Sequence, residues 1–240
     1  MVVVGTSGFS FGKLNRFAFR GRLDAYARKL KAVEVNSTYY GPLRAATART
    51  WMRQTPTRFS FLLKAHRSIV NSRQPTKIKT HWRRFWRTAK LLKPKLKGVL
   101  LEFRAAIQFT PVNFQALRAM SRLPSPGVQK YVELRHPSWM TPETIKKIER
   151  MGLRVVVIHV AGRWTPLAKG FHPNPQWVRA PRYVRLHGTA GKYIGAYSQA
   201  LLKKIRRVAG RGYAMFNNVD SNKNAERMPD GLSDAMKLGR

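Results

Sequence analysis

Cysteine is absent from the 240-residue chain. Its absence excludes disulfides, thiolate zinc sites and thiol catalysis. Acids are scarce: 10 Asp and Glu stand against 47 Lys and Arg. No apolar run approaches the ~20 residues that a membrane span needs. The start, "MVVVGTSG", has no basic region followed by a long apolar stretch, so it does not read as a signal peptide. These absences lead to the expectation of a soluble intracellular protein, or one packaged inside a nucleic-acid-containing particle, and neither secreted nor membrane-bound.

What is present is a core and a large positive charge. A hydrophobic content of 43% with six tryptophans is enough for one sizeable domain spanning 1–240. The formal net charge is +37, which opposes compaction unless a polyanion or counterions offset it. Nucleic acid is the natural polyanion. Residues 35–101 carry 16 basic residues and no acid, and residues 150–219 carry 13 and no acid. The charge is thus a property of the whole surface and not of a tail. A generally basic proteome or a high-salt setting is the alternative source of such a composition. Arginine outnumbers lysine 28 to 19, which suits bidentate phosphate contacts.

Short β-rich runs recur along the chain: 2–7, 32–38, 59–65, 98–103, 130–135, 154–160, 182–188 and 213–219. Helical spacing fills 22–31, 43–54, 78–92, 113–122, 142–151 and 196–208 between them. Eight strands alternating with helices predict an α/β fold, a single (β/α)8 barrel of the TIM type. The sixth connection holds four prolines and reads as an irregular loop. The last strand is followed by a short tail that reads as a truncated helix.

In "SWMTPETIKKI", Thr141 is the expected N-cap, with Pro142 at the first helical position and Glu143 in the first turn. "THWRRFWRTAKLL" puts Trp82, Phe85, Trp86 and Ala89 on one helical face, suited to docking on the sheet. The opposite face carries Arg83, Arg84, Arg87 and Lys90, and Lys93, Lys95 and Lys97 follow. This ridge is the best local candidate for phosphate contacts; a solvated helix face is the alternative.

"YVELRHPSW" places an acid and a base inside an apolar run. Successive strand residues point to opposite faces, so Val132 and Leu134 face the helices while Glu133 and Arg135 face the interior. The same phase puts Glu34 and Asn36, then Arg185 and His187, inside. Lys64 ends the third strand in phase with Ser60. Thr6 and Ser7 end the first strand, and Asn217 and Asn218 end the eighth. The carboxyl ends of barrel strands are where such folds place chemistry. Two readings stand. Either the glutamates are counterions for Lys64, Arg135 and Arg185 in a buried network, or the ring is an anion or polyol site with Glu133 or His187 as acid/base. Lys64 could form a Schiff base, although nearby glutamates would keep its amine charged. "GTSG" lacks the spacing of a nucleotide loop. No metal pair occurs at helical or strand spacing, which leaves only a site assembled in space from Glu34, Glu102, Glu133 and His187. No metal and no cofactor is expected.

The stretches "GTSGFSF" (5–11), "VEVNSTYYGP" (33–42), "WMRQTPTRFSFLLKAHR" (51–67), "GVLLEF" (98–103), "YVELRHPSW" (131–139), "YVRLHGTAGKYIGAYS" (183–198) and "FNNVDSNKNA" (216–225) together resemble the YecE-like family, a TIM-barrel domain of unknown function. The resemblance runs in order along nearly the whole chain. It implies a pocket at the barrel mouth formed by Thr6, Ser7, Glu34, Asn36, Tyr39, Lys64, Glu133, Arg135, Arg185, His187, Tyr193 and Asn217. It supplies no reaction. The chain departs from the family's pattern at Phe9 and Phe11, where Trp and Tyr are usual, at Val70-Asn71, where Thr-His is common, and at Glu102, where Gln is usual. The segment after Asn218 is also shorter, and the charge is far more basic.

The resulting expectation is a barrel associated without sequence specificity with the phosphate backbone of nucleic acid, in a packaged genome or ribonucleoprotein. Two alternatives remain. One is an enzyme acting on a small anionic or sugar-like substrate at the barrel mouth. The other is an architectural component held by an acidic assembly partner.

Overall fold

The computed structural model describes residues 1–9, 22–162, 166–191, 193–218 and 230–239. Ten strands lie among the described residues: β1 (Val3–Ser7), β2 (Ala32–Val35), β3 (Ser60–Lys64), β4 (Leu96–Phe103), β5 (Gln129–Leu134), β6 (Arg154–Val155), β7 (Val157–Val160), β8 (Gly170–His172), β9 (Tyr183–Leu186) and β10 (Tyr213–Phe216). They form one curled sheet in the order β6-β5-β4-β3-β2-β1-β10-β9-β7-β8. Every pairing is parallel except that of β7 with β8. The helices are α1 (Leu23–Lys29), α2 (Ala45–Gln54), α3 (Arg67–Val70), α4 (Pro75–Ala89), α5 (Pro111–Ser121), α6 (Pro142–Arg150), α7 (Gln199–Ala209) and α8 (Asp230–Gly239). The result is a mixed α/β fold with a barrel-like, parallel-dominated sheet.

All eight expected strand runs are present, and two local differences raise the number. The run 154–160 is split at Val156. Its first half, β6, pairs with β5, and its second half, β7, pairs with β9. The sixth connection is not wholly irregular, because β8 folds back antiparallel on β7 through Ile158, His159 and Val160. The C-terminal helix, α8, spans ten residues and buries Leu232, Ala235 and Leu238. Residues 163–165 of the sixth connection, Phe11 and the segment 219–229 lie outside the described residues.

Alternation sorts the core into two layers. Val33, Val35, Val132, Leu134, Val184 and Leu186 belong to the cluster that packs against the helices. Ala32, Leu62, Leu100, Tyr131, Ile158, Tyr183 and Met215 form a second cluster on the other face of the sheet. Tyr131 is therefore in phase with Glu133. Gly5 permits the close approach of β1 and β2, since a Cβ there would fall 2.1 Å from the Ala32 carbonyl oxygen.

The helices follow their sequence signals. Thr141 Oγ1 accepts from Thr144 N (3.2 Å) and caps α6, with Pro142 at its start and Glu143 in its first turn. Helix α4 buries Ile78, Trp82, Phe85 and Ala89. Trp82 donates Nε1 to Pro124 O (2.9 Å) and stacks on the half-buried Trp86, with centroids 5.6 Å apart. No helix among the described residues is long and apolar enough to cross a membrane.

A candidate anion pocket over a charge-balanced network

The strand ends bring Glu34, Glu102, Glu133, Lys64, Arg135 and Arg185 together, and all six are buried. Glu34 ends the inward set of β2 and Glu102 that of β4. Glu102 and Glu133 are direct neighbours in the β4–β5 register. Arg185 lies at the centre. Its Nη2 donates to Glu34 Oε1 (2.7 Å), while its Nη1 contacts Glu102 Oε2 (3.1 Å) and Glu133 Oε2. Arg135 pairs through Nε with Glu133 and through Nη2 with Glu102 Oε2 (3.0 Å). Lys64 Nζ reaches the same Glu102 oxygen at 2.9 Å. One carboxylate oxygen, Glu102 Oε2, thus gathers three cations. Ser7 Oγ donates to Glu34 Oε1 (2.8 Å), and the Tyr183 hydroxyl donates to Glu34 Oε2.

Three carboxylates face three cations, so the network is neutral overall. Burial alone would raise the Glu133 carboxyl. The Arg135 and Arg185 guanidiniums and the His187 contact outweigh that and hold it well below the usual carboxylate range. Glu102 is lowered in the same way, burial being outweighed by Arg135, Arg185 and Lys64. Burial lowers His187 to about 4 despite Glu133 beside it, so at neutral pH the ring is uncharged. Its Nε2 lies 3.5 Å from Glu133 Oε1, and its Nδ1 is 3.2 Å from Asn217 Nδ2. A proton on Nε2, with Nδ1 accepting from the Asn217 amide, fits both contacts. His159 is also lowered to about 4, mainly by burial, and its Nδ1 is 3.3 Å from the Tyr197 hydroxyl.

Above this network opens a pocket of about 570 Å³ lined by Tyr39, Tyr40, Lys64, Arg67, Glu102, Arg104, Arg135 and Tyr193. Lys64 Nζ sits 4.3 Å above the Tyr39 ring, and Tyr39 packs edge-on against Tyr40 at 5.1 Å. The Tyr193 hydroxyl accepts from Arg135 Nη1 (3.2 Å), and its ring lies 5.4 Å from that of His187. Tyr193 has φ +62°, a conformation that is a genuine outlier for a bulky side chain. Gly188 makes this turn possible: it has φ +92°, and a Cβ there would fall 2.3 Å from Ile194 O.

Most of the expected site residues converge. Ser7, Glu34, Lys64, Glu133, Arg135, Arg185, His187, Tyr193 and Asn217 join the network or touch it, and Tyr39 walls the pocket. Glu133 and His187 lie beneath the pocket and do not line it; Lys64 does. Two expected residues face the other way. Thr6 points to α1, where its N donates to Tyr26 Oη (2.9 Å), and its Oγ1 lies 3.0 Å from the same hydroxyl. Asn218 turns toward α8 and donates Nδ2 to Asp234 Oδ2 (3.3 Å). Each is adjacent in sequence to a residue that points inward, so strand alternation sends it outward. Asn36 is half-buried at the end of β2, and its Oδ1 has no hydrogen-bond partner among the described residues.

On the basic ridge, Arg83, Arg84, Arg87, Lys90, Lys93 and Lys97 are exposed. Lys95 is not part of it. It is buried, and its Nζ donates to Met52 O (2.6 Å), Thr55 O (2.6 Å) and Thr55 Oγ1 (3.1 Å), satisfying carbonyls at the end of α2. The three glutamates are taken up by cations, and no group of three or more His, Asp or Glu among the described residues is placed to hold a metal ion.

A curled parallel sheet with a polar, ion-paired mouth defines a class of α/β protein. Within that class the chain belongs to the family described as "Protein of unknown function DUF72", whose model matches residues 3–238, in agreement with the YecE-like resemblance. It is similar to a DUF72 family protein of Enterococcus faecalis V583 (TM-score 0.79, 20% identity, covering 99% of this chain and 94% of that one). It is also similar to one of Thermotoga maritima MSB8 (TM-score 0.74, 23% identity, 100% and 98% covered). At these identities the likeness concerns the fold. No curated protein matches the chain.

Proposed function

We propose that this chain is a nucleic-acid-associated protein that binds the phosphate backbone without reading sequence, on an eight-staved TIM-type barrel. The divided run 154–160 supports the closed barrel: β6 hydrogen-bonds to one end of the curl and β7 to the other. The observation that carries the functional reading is where the charges lie. Glu34, Glu102, Glu133 and Asp234 are buried, the three glutamates against an equal number of cations. The acid-free stretch 35–101 meanwhile exposes Arg44, Arg49, Arg53 and Arg58 around α2, Lys77, Lys79, Arg83, Arg84 and Arg87 on α4, and Lys90 at its C-cap. The mouth network is balanced and, among the described residues, Lys95 and Lys130 are the other buried cations, so most of the excess cations lie outside, where a polymeric counterion can release its own bound ions.

Purification at low salt, followed by ultraviolet absorbance and nuclease treatment, tests this. Nuclease-sensitive nucleic acid is expected to travel with the protein and to leave at high salt. A clean, nucleic-acid-free protein at low salt overturns the reading. An acidic assembly partner would be retained instead as a nuclease-resistant protein. The mouth pocket favours a second reading, an enzyme acting on a small anionic or sugar-like substrate. Under that reading Lys64→Met abolishes turnover, and a turnover that survives the substitution removes Lys64 from the chemistry.

A further inference from the structure

Four cations and one carboxylate face the mouth pocket, and the carboxylate is already shared. Glu102 Oε2 accepts from Lys64, Arg135 and Arg185. Arg67 and Arg104, both exposed, have no acidic partner among the described residues. Arg104 instead lies 5.9 Å from the Tyr39 ring. Tyr40, 68% exposed, lines the same pocket and stands edge-on to its buried neighbour Tyr39. An open aromatic face beside two uncompensated guanidiniums offers one surface for stacking and another for a phosphate. A space of about 570 Å³ lies in the range for small-ligand pockets. A paired base cannot offer its face to a side chain in such a pocket, whereas an unpaired one can.

We propose that the mouth binds an unpaired nucleotide, at a strand end or a single-stranded break. Its phosphate lies against Arg67 and Arg104, and its base stacks on Tyr40. The strained Tyr193 closes the far side, held by Arg135. This assignment rests on the nucleic-acid reading and adds a second, structure-selective contact to the backbone contacts of the outer surface.

Fluorescence anisotropy at one fixed salt concentration tests it, with two probes: a blunt duplex, and the same duplex carrying a three-nucleotide overhang. The wild-type chain is expected to prefer the overhang. Tyr40→Ala should lose roughly 5- to 100-fold toward the overhang, the loss of one base stack, while blunt-duplex affinity stays within about two-fold. The exposure of Tyr40 keeps folding out of the result. Arg67→Ala with Arg104→Ala should remove the overhang preference, whereas Arg83→Ala with Arg87→Ala on α4 should weaken both probes equally. Equal affinity for the two probes, or Tyr40→Ala weakening both alike, overturns the pocket assignment and leaves backbone binding intact. No binding to either probe at low salt overturns both.

Discussion

Replacing Glu133 by Gln removes one charge from the buried network and almost no volume. Arg135 Nε loses its ionic partner, Arg185 Nη1 is left with Glu102 alone, and His187 Nε2 loses the carboxylate 3.5 Å away. The remaining carboxylates, Glu34 and Glu102, then face Lys64, Arg135 and Arg185, leaving one buried positive charge unbalanced. Removing one partner of a buried ion pair costs about 3–5 kcal/mol, because the other ion stays desolvated. At a urea dependence of about 3 kcal/mol per M, the unfolding midpoint should fall by about 1–1.7 M. Glu143→Gln, exposed in the first turn of α6, is the matched control and should cost about 0.3–1 kcal/mol. The readout is equilibrium urea unfolding followed by circular dichroism and tryptophan fluorescence. A Glu133→Gln protein within about 1 kcal/mol of wild type would refute the reasoning, since Glu133 would then not be a structural counterion.

Stability should fall with acid in a defined window. His187 and His159 are lowered from 6.5 to about 4 by burial. The unfolded chain therefore binds protons that the folded one refuses, and the stability present above pH 6.5 is lost as pH falls toward 4. The lowered Glu102 and Glu133 extend the loss below their unfolded values near 4.5; urea midpoints at pH 7, about 5.5, about 4.5 and about 3.5 measure both, and His187→Gln should flatten the first part. Trp82→Ala on α4 should cost about 3–5 kcal/mol by opening a cavity under the helix, measured by thermal unfolding. Thr141→Ala should cost about 1 kcal/mol through loss of the α6 cap, read in the same assay. Reversing Arg83, Arg84 and Arg87 to Glu should weaken duplex binding and reduce its salt slope by about one unit per lost phosphate contact, while leaving the urea midpoint nearly unchanged.

Much of the fold and half of the site were legible from period-two alternation alone. It placed Glu34, Glu133, Arg135 and Arg185 on the inner face, because each alternates with valine or leucine that the helices cover. It failed at the strand ends. Thr6 and Asn218 sit one residue from Ser7 and Asn217, and a single step turns them to α1 and α8. Glu102 was visible as one conceivable metal ligand and as a departure from the family's usual Gln, not as a member of the inner ring. The phase of β4 gave the signal, since Glu102 follows Leu100 at the inner-face spacing, but its role as the shared acceptor depends on three strands converging. Lys95 read as part of a basic ridge because lysines at 93, 95 and 97 look alike, yet the middle one turns into the carbonyls at the end of α2. Arg67, Arg104 and Tyr40 could not be found from pattern, because they lie just beyond the ends of β3, β4 and β2, where strand alternation no longer applies and only the pairing of those three strands brings them to one pocket. The divided run 154–160 read as one strand because Val155, Val156 and Val157 are chemically alike; what divides it is a change of pairing partner.

Engagement of a polyanion by the outer cations is the central proposal. The direct measurement is the association constant for a generic duplex between about 50 and 200 mM salt. Engagement of six to ten phosphates predicts a fall of about 10³- to 10⁵-fold, linear on logarithmic axes and indifferent to sequence. A constant that stays flat across that range, or no binding at the lower salt, would contradict it.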